Sequence, residues 1–259
     1  MKVNNLSLIF SFVGGVVLLF ILAPIVNILI SSSFPQIFET FREHEVHSSI
    51  ILTLLTSLGA TMVFAVFCIP LAYVLARKNF VGKKIILGII DLPILIPHSA
   101  AGIALLGIIS RDSLIGRIGE QIGISFIGNP LGIAVAMAFV SLPFLLHSAI
   151  DGFAAVPEKY EKAAYTLGTS NWRTFRTISL PLAKRSILTG MIMMFARGMS
   201  EFGAVIIIAY NPMVTPILIY ERFNSYGLKY AQPVSVIFIV ISLLFFLILR
   251  YLSKKSRHA

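Results

Sequence analysis

The amino-acid sequence predicts an all-α integral membrane protein with six transmembrane helices. The 259 residues are 57% hydrophobic and only 12% charged, with a mean hydropathy of +0.91, whereas soluble domains contain about 25% charged residues. The hydrophobic residues are also concentrated in runs of about twenty, the length that crosses the hydrocarbon core as a helix. We therefore expect a single transmembrane domain over residues 1–259.

The apolar runs follow one another along the chain with polar loops between them. Backbone groups in lipid must be bonded within the protein, so each run is expected to be a helix. The first run is longer than the core of a signal peptide and lacks a small-x-small cleavage site, so we expect it to be retained. The third run contains Asp91, Pro93 and Pro97, which predict a broken, polar start. The predicted spans are 6–31, 50–76, 85–109, 131–150, 186–210 and 233–251.

The basic residues predict the orientation, because Lys and Arg are concentrated in the cytoplasmic loops of membrane proteins. Fifteen of the 21 Lys and Arg residues fall at the two termini, between spans two and three, and in the loop 151–185. Five fall in the loops of the other side, and one lies inside a span. Both termini are thus predicted to be cytoplasmic in a multi-pass protein of the cell membrane. The net charge of +10 is therefore explained by basic residues in the cytoplasmic loops. For this reason no nucleic-acid partner is expected.

Few residues outside these patterns are candidates for metal chemistry. Cys68 is the only cysteine, which excludes an internal disulfide and a cysteine-based metal cluster. It lies in an apolar run and is expected to be a small buried side chain. His44 and His47 could bind a metal, but two histidines without a third ligand are more often ordinary loop residues. No metal site is predicted.

The loop 151–185 is polar and patterned, and its first part predicts a short helix. An apolar stripe at helical spacing consists of Tyr160, Ala163, Ala164 and Leu167. Most of the remaining surface is charged, through Glu158, Lys159, Glu161 and Lys162. Pro157 suits the first turn of a helix, and Gly168 suits the left-handed position that ends one.

A second helical stretch is predicted to begin near Ser170 and to be interrupted by Pro181 before span five. Trp172, Phe175 and Ile178 would face the membrane, with the neighbouring arginines toward water. The pattern by itself leaves two interpretations open, an interfacial helix pair without a partner and a docking element.

The stretch "KAAYTLGTSNWRTFRTISLP" resembles the cytoplasmic loop signature of ABC-importer permeases. That signature runs Glu-Ala-Ala, three residues, Gly, nine residues and Ile-x-Leu-Pro. The residues that match at the required spacing are Ala163, Ala164, Gly168, Ile178, Leu180 and Pro181. The departure is Lys162, which stands where the family usually has Glu, with Glu161 directly before it.

The resemblance implies a role for the loop and a set of partners. In such permeases the loop forms a coupling helix that sits in a groove of the ATP-hydrolysing subunit. Docking would then fall on Glu161, Lys162, Ala163, Ala164, Leu167 and Gly168. The ABC-importer permease fold further implies a second copy of the chain, two copies of the ATP-binding subunit, an external substrate-binding protein and surrounding membrane lipid.

ATP hydrolysis is expected in a separate subunit, because the chain contains no Gly-x-x-x-x-Gly-Lys-Ser/Thr phosphate loop. ATP and magnesium would be bound there, so we expect no cofactor and no catalytic residue in this chain.

Arg197 and Glu201 lie four residues apart in the fifth apolar run and are predicted to share one helical face. Ionisable groups inside membrane segments usually pair and face protein or a water-filled cavity. The pair either stabilises the fold only, or lines a translocation pathway in which Arg197 favours an anion. Ser200 and Gly203 would narrow the helix beside it, and His98 either joins this surface or is simply packed.

The same region sharpens the resemblance. "ARGMSEFGAVIIIAYNP", followed by "TPILIYERF", resembles the permease subunits of molybdate/tungstate importers, with sulfate permeases as near relatives, and the likeness extends over the six-span chain. It implies alternating access: ATP binding closes the ATPase subunits, the coupling helices move, and the spans open outward.

Three alternatives remain open from the sequence. A permease of the same architecture could carry sulfate or another solute. A secondary transporter would need no ATPase and would depend on protons or sodium. An intramembrane enzyme lacks a motif, because Gly198-x-Ser200 continues to Phe202 rather than to the glycine of a nucleophile elbow.

The predicted orientation can be measured by cysteine labelling in intact cells. With Cys68 replaced, single cysteines at Ser170 and Ser256 should be shielded from an impermeant reagent, because the basic loops lie inside. A cysteine at Ser225 should react and is the matched control. Labelling at Ser170 from outside would contradict both the orientation and the coupling role of the loop.

Overall fold

The computed structural model describes residues 5–255, and the elements in this range are helices connected by turns and short loops, with no strand. In chain order the helices are α1 Asn5–Ile30, α2 Phe34–Arg42, α3 His44–Arg77, α4 Lys83–Leu95, α5 His98–Ile109, α6 Leu114–Gln121, α7 Pro130–Ala154, α8 Glu158–Thr166, α9 Asn171–Thr174, α10 Leu180–Met199, α11 Gly203–Ile208, α12 Thr215–Tyr226 and α13 Leu228–Lys255. A π-helical turn over Phe175–Ser179 joins α9 to α10. The all-α prediction is confirmed.

Five continuous helical segments of the described chain are long and apolar enough to cross a membrane. They are Leu6–Ile30, His44–Arg77, Pro130–Ala154, Asn171–Met199 and Leu228–Tyr251. The helices α4 and α5 taken together are a sixth candidate for a membrane span, which is bent. Each predicted apolar run therefore lies mainly in helix, with breaks in the third and fifth runs, and α3 begins six residues before the predicted start of span two.

The third span is bent by 113° between α4 and α5. Ile96 is extended there, with φ −83° and ψ 147°, and Pro97 follows it. Proline lacks the N–H that a helix interior needs and disfavours helical backbone in the residue before it, so the helix ends and restarts at this point. The predicted break is confirmed, but it lies within the span rather than at its start.

The fifth span differs from its prediction at both ends. Its helix runs on from Asn171 through Pro181, which does not interrupt it, and ends at Met199 rather than near Tyr210. The π-helical turn directly before Pro181, in which the Leu180 N–H donates to the Phe175 carbonyl, accommodates the proline ring. Beyond Met199 the chain turns, and α11 begins at Gly203.

The main core lies where α7 packs between α3 and α10. Leu145 and Phe153 of α7 are fully buried, together with Met194 of α10 and, almost fully, Cys68 of α3. The helices approach closely at Gly190, where a Cβ atom would lie 2.8 Å from the Cβ of Ser148. Small residues permit such close contact between membrane helices.

At the other end of the fold, α5 packs on α11. A Cβ atom at Gly102 would lie 2.9 Å from the Ala204 carbonyl oxygen, so the two short helices touch along their backbones. Ile133 of α7 and Ile208 of α11 are buried in the same cluster. The helix α5, which follows the break in the third span, is thus packed against α11, which follows the end of α10.

Two features of the periphery complete the fold. The apolar side chains described for α1 are exposed in the isolated subunit, as expected for a span that faces lipid or a second chain. His47 packs its ring on Phe41 at 4.7 Å between centroids, and His44 Nδ1 lies 3.4 Å from Ser48 Oγ. No three metal-ligating side chains come together among the described residues.

Candidate functional site

The helix α8 ends in a glycine turn that the sequence predicts. Gly168 has φ +78°, its N–H donates to the Tyr165 carbonyl at 3.0 Å, and the Thr169 N–H donates to the Ala164 carbonyl at 3.2 Å. This pair of bonds is the Schellman motif, which needs a left-handed residue that glycine supplies without strain. The short helix after Pro157 and its end at Gly168 are confirmed.

Glu161 lies on the inner side of α8 and not on the solvated surface, so the prediction of its exposure is wrong. Its side chain is 8% exposed, and its Oε1 lies 2.8 Å from Arg77 Nη2. Ser179 Oγ donates to the same oxygen at 2.7 Å. The tyrosine hydroxyl of Tyr73 lies 3.4 Å from Oε2. Glu161 therefore joins α8 to the end of α3 and to the start of α10.

Arg77 connects a third element to this joint. Its Nη2 also donates to the Val156 carbonyl at 2.9 Å, directly after the end of α7. One guanidinium thus binds the carboxylate of Glu161 and the backbone of the loop that precedes α8. The position of α8 is fixed by charged hydrogen bonds that come from the ends of membrane helices.

The outer side of α8 carries most of the predicted docking residues. Ala163 and Lys162 are exposed, and Leu167 is 83% exposed. Of the predicted apolar stripe only Ala164 is buried, while Tyr160 remains 47% exposed. Lys162 forms a solvated pair with Glu158 at 3.1 Å. The helix therefore presents an apolar strip with an adjacent lysine, away from the membrane helices that it is attached to.

The segment after Gly168 passes directly into the fifth span. Ser170 caps it by accepting the Arg173 N–H at 3.3 Å. Phe175 is buried against Tyr73 at 4.9 Å and Phe153 at 6.0 Å between ring centroids. Trp172, by contrast, is 68% exposed and stacks on Phe175. The segment is thus packed on α3 and α7 through its aromatic rings, and the Ser179–Glu161 bond joins α8 to the start of α10.

A second cluster contains the charged pair predicted in span five. Arg197 Nη2 lies 3.0 Å from Glu201 Oε2. His98 Nδ1 lies 2.7 Å from the same oxygen, and Arg197 Nη2 lies 2.9 Å from each ring nitrogen of His98. The pairing is confirmed, and His98 joins it.

The pair does not lie on one continuous helix, which corrects the prediction. The helix ends at Met199, and Glu201 stands in the turn that follows. Its Oε1 accepts the Ala204 N–H at 2.9 Å, and this bond caps the first turn of α11. Glu201 is 1% exposed, whereas a quarter of the Arg197 side chain is exposed.

The other predicted pathway residues take different places. Ser200 is exposed and its hydroxyl donates to the Arg197 carbonyl at 3.0 Å, so it does not contact the charged side chains of the cluster. A Cβ atom at Gly203 would lie 2.7 Å from the Cβ of His98. Glycine at this position lets α11 approach the start of α5 closely enough for His98 to reach Glu201.

The sequence interpretation missed a second pair of ionisable groups inside the spans. His147 of α7 binds Asp91 of α4 through Nε2 and Oδ1, and both side chains are about 40% exposed in the subunit. The signal was present, since an ionisable residue in an apolar run is by itself a reason to search for a partner. Asp91 was noted only as a polar residue near the break.

The chain is similar to a family of transport proteins and to named permeases. The family model described as "Binding-protein-dependent transport system inner membrane component" matches residues 68–258. The molybdate/tungstate transport system permease protein WtpB of Pyrococcus abyssi is 42% identical, and the alignment covers 96% of each chain. A probable sulfate transport system permease protein of Chlorokybus atmophyticus is 36% identical, with 87% of this chain and 82% of the relative covered.

Similarity of fold extends further than similarity of sequence. A solved bacterial ABC transporter involved in the import of the acidic polysaccharide alginate contains a chain that superimposes with a TM-score of 0.73. The match covers 96% of this chain and 95% of that one at 16% identity.

Removal of the buried Glu161–Arg77 pair tests whether it holds α8 in place. Glu161→Gln leaves the Arg77 charge without its partner, and breaking a buried pair typically costs about 3–5 kcal/mol. We expect faster limited proteolysis of the loop 151–185 in detergent and a lower temperature of unfolding. Lys162→Gln breaks only the exposed pair with Glu158, worth about 0–1 kcal/mol, and is the control. Equal behaviour of the two variants would contradict the anchoring role.

Proposed function

The chain belongs to the family of binding-protein-dependent transport system inner membrane components, and we propose that it is the membrane permease subunit of an ATP-driven importer for tungstate or molybdate. The observation that carries the proposal is the 42% identity over 96% of both chains with a relative named as a molybdate/tungstate permease. Because the alignment covers 96% of both chains, it includes the helices that position the two candidate sites, α8 and the cluster of Arg197, Glu201 and His98.

In the proposed assembly, the outer side of α8 docks on an ATP-hydrolysing subunit. A short helix with exposed apolar side chains and a terminal glycine turn fits a groove, because its surface can be buried without disturbing its attachment. The inner side is already bonded to Arg77 and Ser179. Docking therefore uses Lys162, Ala163, Leu167 and Gly168 directly, while Glu161 and Ala164 position them.

The proposed mechanism is alternating access. Two copies of this chain form the pathway, and two ATPase subunits bind ATP and magnesium, for which this chain has no phosphate loop. Closure of the ATPases moves both α8 helices, and the movement reaches α3 through the Glu161–Arg77 pair and the start of α10 through the Glu161–Ser179 bond. The orientation has both termini and α8 in the cytoplasm, and an external binding protein delivers the substrate.

Arg197 is the proposed contact for the oxyanion in the pathway. Glu201 is held by three donors, from Arg197, His98 and the Ala204 N–H. A guanidinium carries five N–H donors in a planar fork that suits oxyanions, so the pair with Glu201 leaves donors free. The partly exposed Arg197 could offer them to a divalent tetrahedral anion as it passes.

Sulfate is the second candidate substrate, supported by the 36% identity with a relative named as a sulfate permease. Sulfate, molybdate and tungstate share a tetrahedral shape and a charge of about −2 at neutral pH, so a guanidinium distinguishes them poorly. Selection would then reside in the external binding protein.

Purification and transport together test the proposed function. The chain isolated from its native membrane in mild detergent should retain an ATP-hydrolysing subunit in equal amount. The reconstituted complex, supplied with its binding protein and ATP, should take up labelled tungstate and molybdate faster than sulfate. Uptake without the ATPase, driven by a proton or sodium gradient, would contradict the proposal. Preferential uptake of sulfate would identify sulfate as the substrate and would still agree with an ATP-driven importer.

Variants of Arg197 and Glu201 separate transport from folding. Arg197→Met alone leaves the buried carboxylate with fewer partners and should reduce the yield of assembled protein. Adding Glu201→Gln should restore assembly, because no buried charge remains unpaired. Oxyanion uptake by the double variant should still fall about tenfold, the effect of losing one charged hydrogen bond of about 1.5 kcal/mol.

The control for this experiment is Arg111→Met with Glu120→Gln, which removes an exposed pair of the same composition. It should change neither assembly nor uptake. Full recovery of uptake in the Arg197→Met, Glu201→Gln variant would show that the cluster serves only the fold.

A further inference from the structure

Basic side chains gather at one end of a cleft between α10 and α13, on the side of the membrane that carries α8. Arg185 of α10 and Arg250 of α13 line one cavity of about 280 Å³ with the hydroxyl groups of Thr189 and Ser253 and the ring of Phe246. Ile192 and Met193 complete the lining with apolar side chains, and no acidic side chain lines the cavity.

An apolar groove adjoins this cavity and shares Ser253 with it. The groove has a volume of about 370 Å³ and is formed by α3, α10 and α13. Its walls are almost entirely apolar, and Lys184 stands at the same end as the arginines. The side chains of the wall include Leu58, Met62, Leu188, Met191, Phe195 and Leu249.

The length of the groove corresponds to one leaflet of a bilayer. Its residues on α10 extend from Lys184 to Phe195, eleven positions apart, which is about 16 Å at the helical rise of about 1.5 Å. Half of a hydrocarbon core is about 15 Å. The groove therefore accommodates an acyl chain over its full depth, with positive charge where a headgroup would lie.

The three cations have no acidic partner in the part of the chain that the structure describes. Among residues 5–255, none of the side chains of Lys184, Arg185 and Arg250 forms an ion pair. The exposed helix α1 of a second copy would not neutralise them, because Asn5–Ile30 contains no acidic residue. The chemistry that matches the cleft is an anionic headgroup joined to an acyl chain.

We propose that this cleft is a binding site for an anionic phospholipid of the leaflet on the α8 side. The phosphate contacts Arg185 and Arg250, the Ser253 hydroxyl donates a further hydrogen bond, and an acyl chain occupies the groove beside α3. Basic pockets between transmembrane helices recognise anionic headgroups in this way. The site joins α10, which continues from the coupling segment, to the last span, so lipid bound there would brace the moving helix.

Retention of lipid by the purified full-length chain tests the site. After mild delipidation in detergent, the protein is mixed with phosphatidylglycerol or phosphatidylcholine, and bound lipid is counted by native mass spectrometry. The unaltered chain should retain phosphatidylglycerol preferentially. Arg185→Gln with Arg250→Gln should weaken this retention about tenfold. Met62→Trp, which fills the groove and leaves the charges in place, should weaken it as well.

The control is Lys83→Gln with Lys84→Gln, which removes two charges at the same membrane side outside the cleft and should leave retention unchanged. Equal losses in the control and in the arginine variant would overturn the proposal, as would displacement of the lipid by inorganic phosphate. Loss of a dimer, with lipid binding unchanged, would assign the cleft to a second copy instead. If the double variant does not purify, the single variants Arg250→Gln and Met62→Trp are measured instead, and unchanged retention of phosphatidylglycerol in both would overturn the proposal. The measurement needs neither substrate nor ATPase, so failure of the transport function leaves its result intact.

Discussion

Within the hydrocarbon region every backbone N–H and C=O must find a partner inside the protein, and the rest of the structure depends on this constraint. The chain departs from regular helix at Ile96–Pro97 and again at residues 200–202, and the two departures lie against each other. The carboxylate of Glu201 accepts the Ala204 N–H, which would otherwise be an unpaired donor at the start of α11. The cluster of Glu201, His98 and Arg197 thus has a structural role, because Glu201 accepts a backbone hydrogen bond where the helix is interrupted. This role is separate from the proposed contact of Arg197 with the substrate.

The helix α8 has its attachment to the membrane helices and the proposed docking surface on opposite sides. Its buried charges bind membrane helices over long sequence distances, since Arg77 and Glu161 are 84 positions apart. Its exposed residues include Ala163 and the solvated Lys162–Glu158 pair, and none of these three bonds to a membrane helix in the described contacts. A partner on this proposed surface would therefore leave the bonds of α8 to α3 and to the start of α10 intact. A helix that used the same residues for both purposes would lose one contact whenever it made the other.

Much of the architecture was predictable because local rules decide it. Long apolar runs must be helices in lipid, and Gly168 after the last residue of an apolar stripe predicts the turn that the structure contains. Glu161 was misplaced for a physical reason: helical periodicity identifies which residues share a side, but the identity of the buried side depends on a distant partner. The partners of His98 and His147 could not be predicted from local sequence for the same reason. Glu201 and Asp91 lie 103 and 56 positions away from them. The end of α10 at Met199 was missed because an apolar run continues past it, while the turn is stabilised by polar bonds of Ser200 and Glu201.

The π-helical turn over Phe175–Ser179 has a consequence for how length changes act on this protein. A π turn contains one residue more than the α-helix it interrupts, and one residue corresponds to a rotation of about 100° about the helix axis. The angle between α8 and the face of α10 that carries Arg197 is therefore set by the number of residues between them, whatever their identity. A deletion of one residue within Phe175–Ser179 would remove the π turn and restore regular helix with little rotation, whereas a deletion of one residue from the regular part of α10 before Arg197 would turn the Arg197 side by about 100°. Chain length between Gly168 and Arg197 is thus under a geometric constraint that substitution at single positions would not reveal.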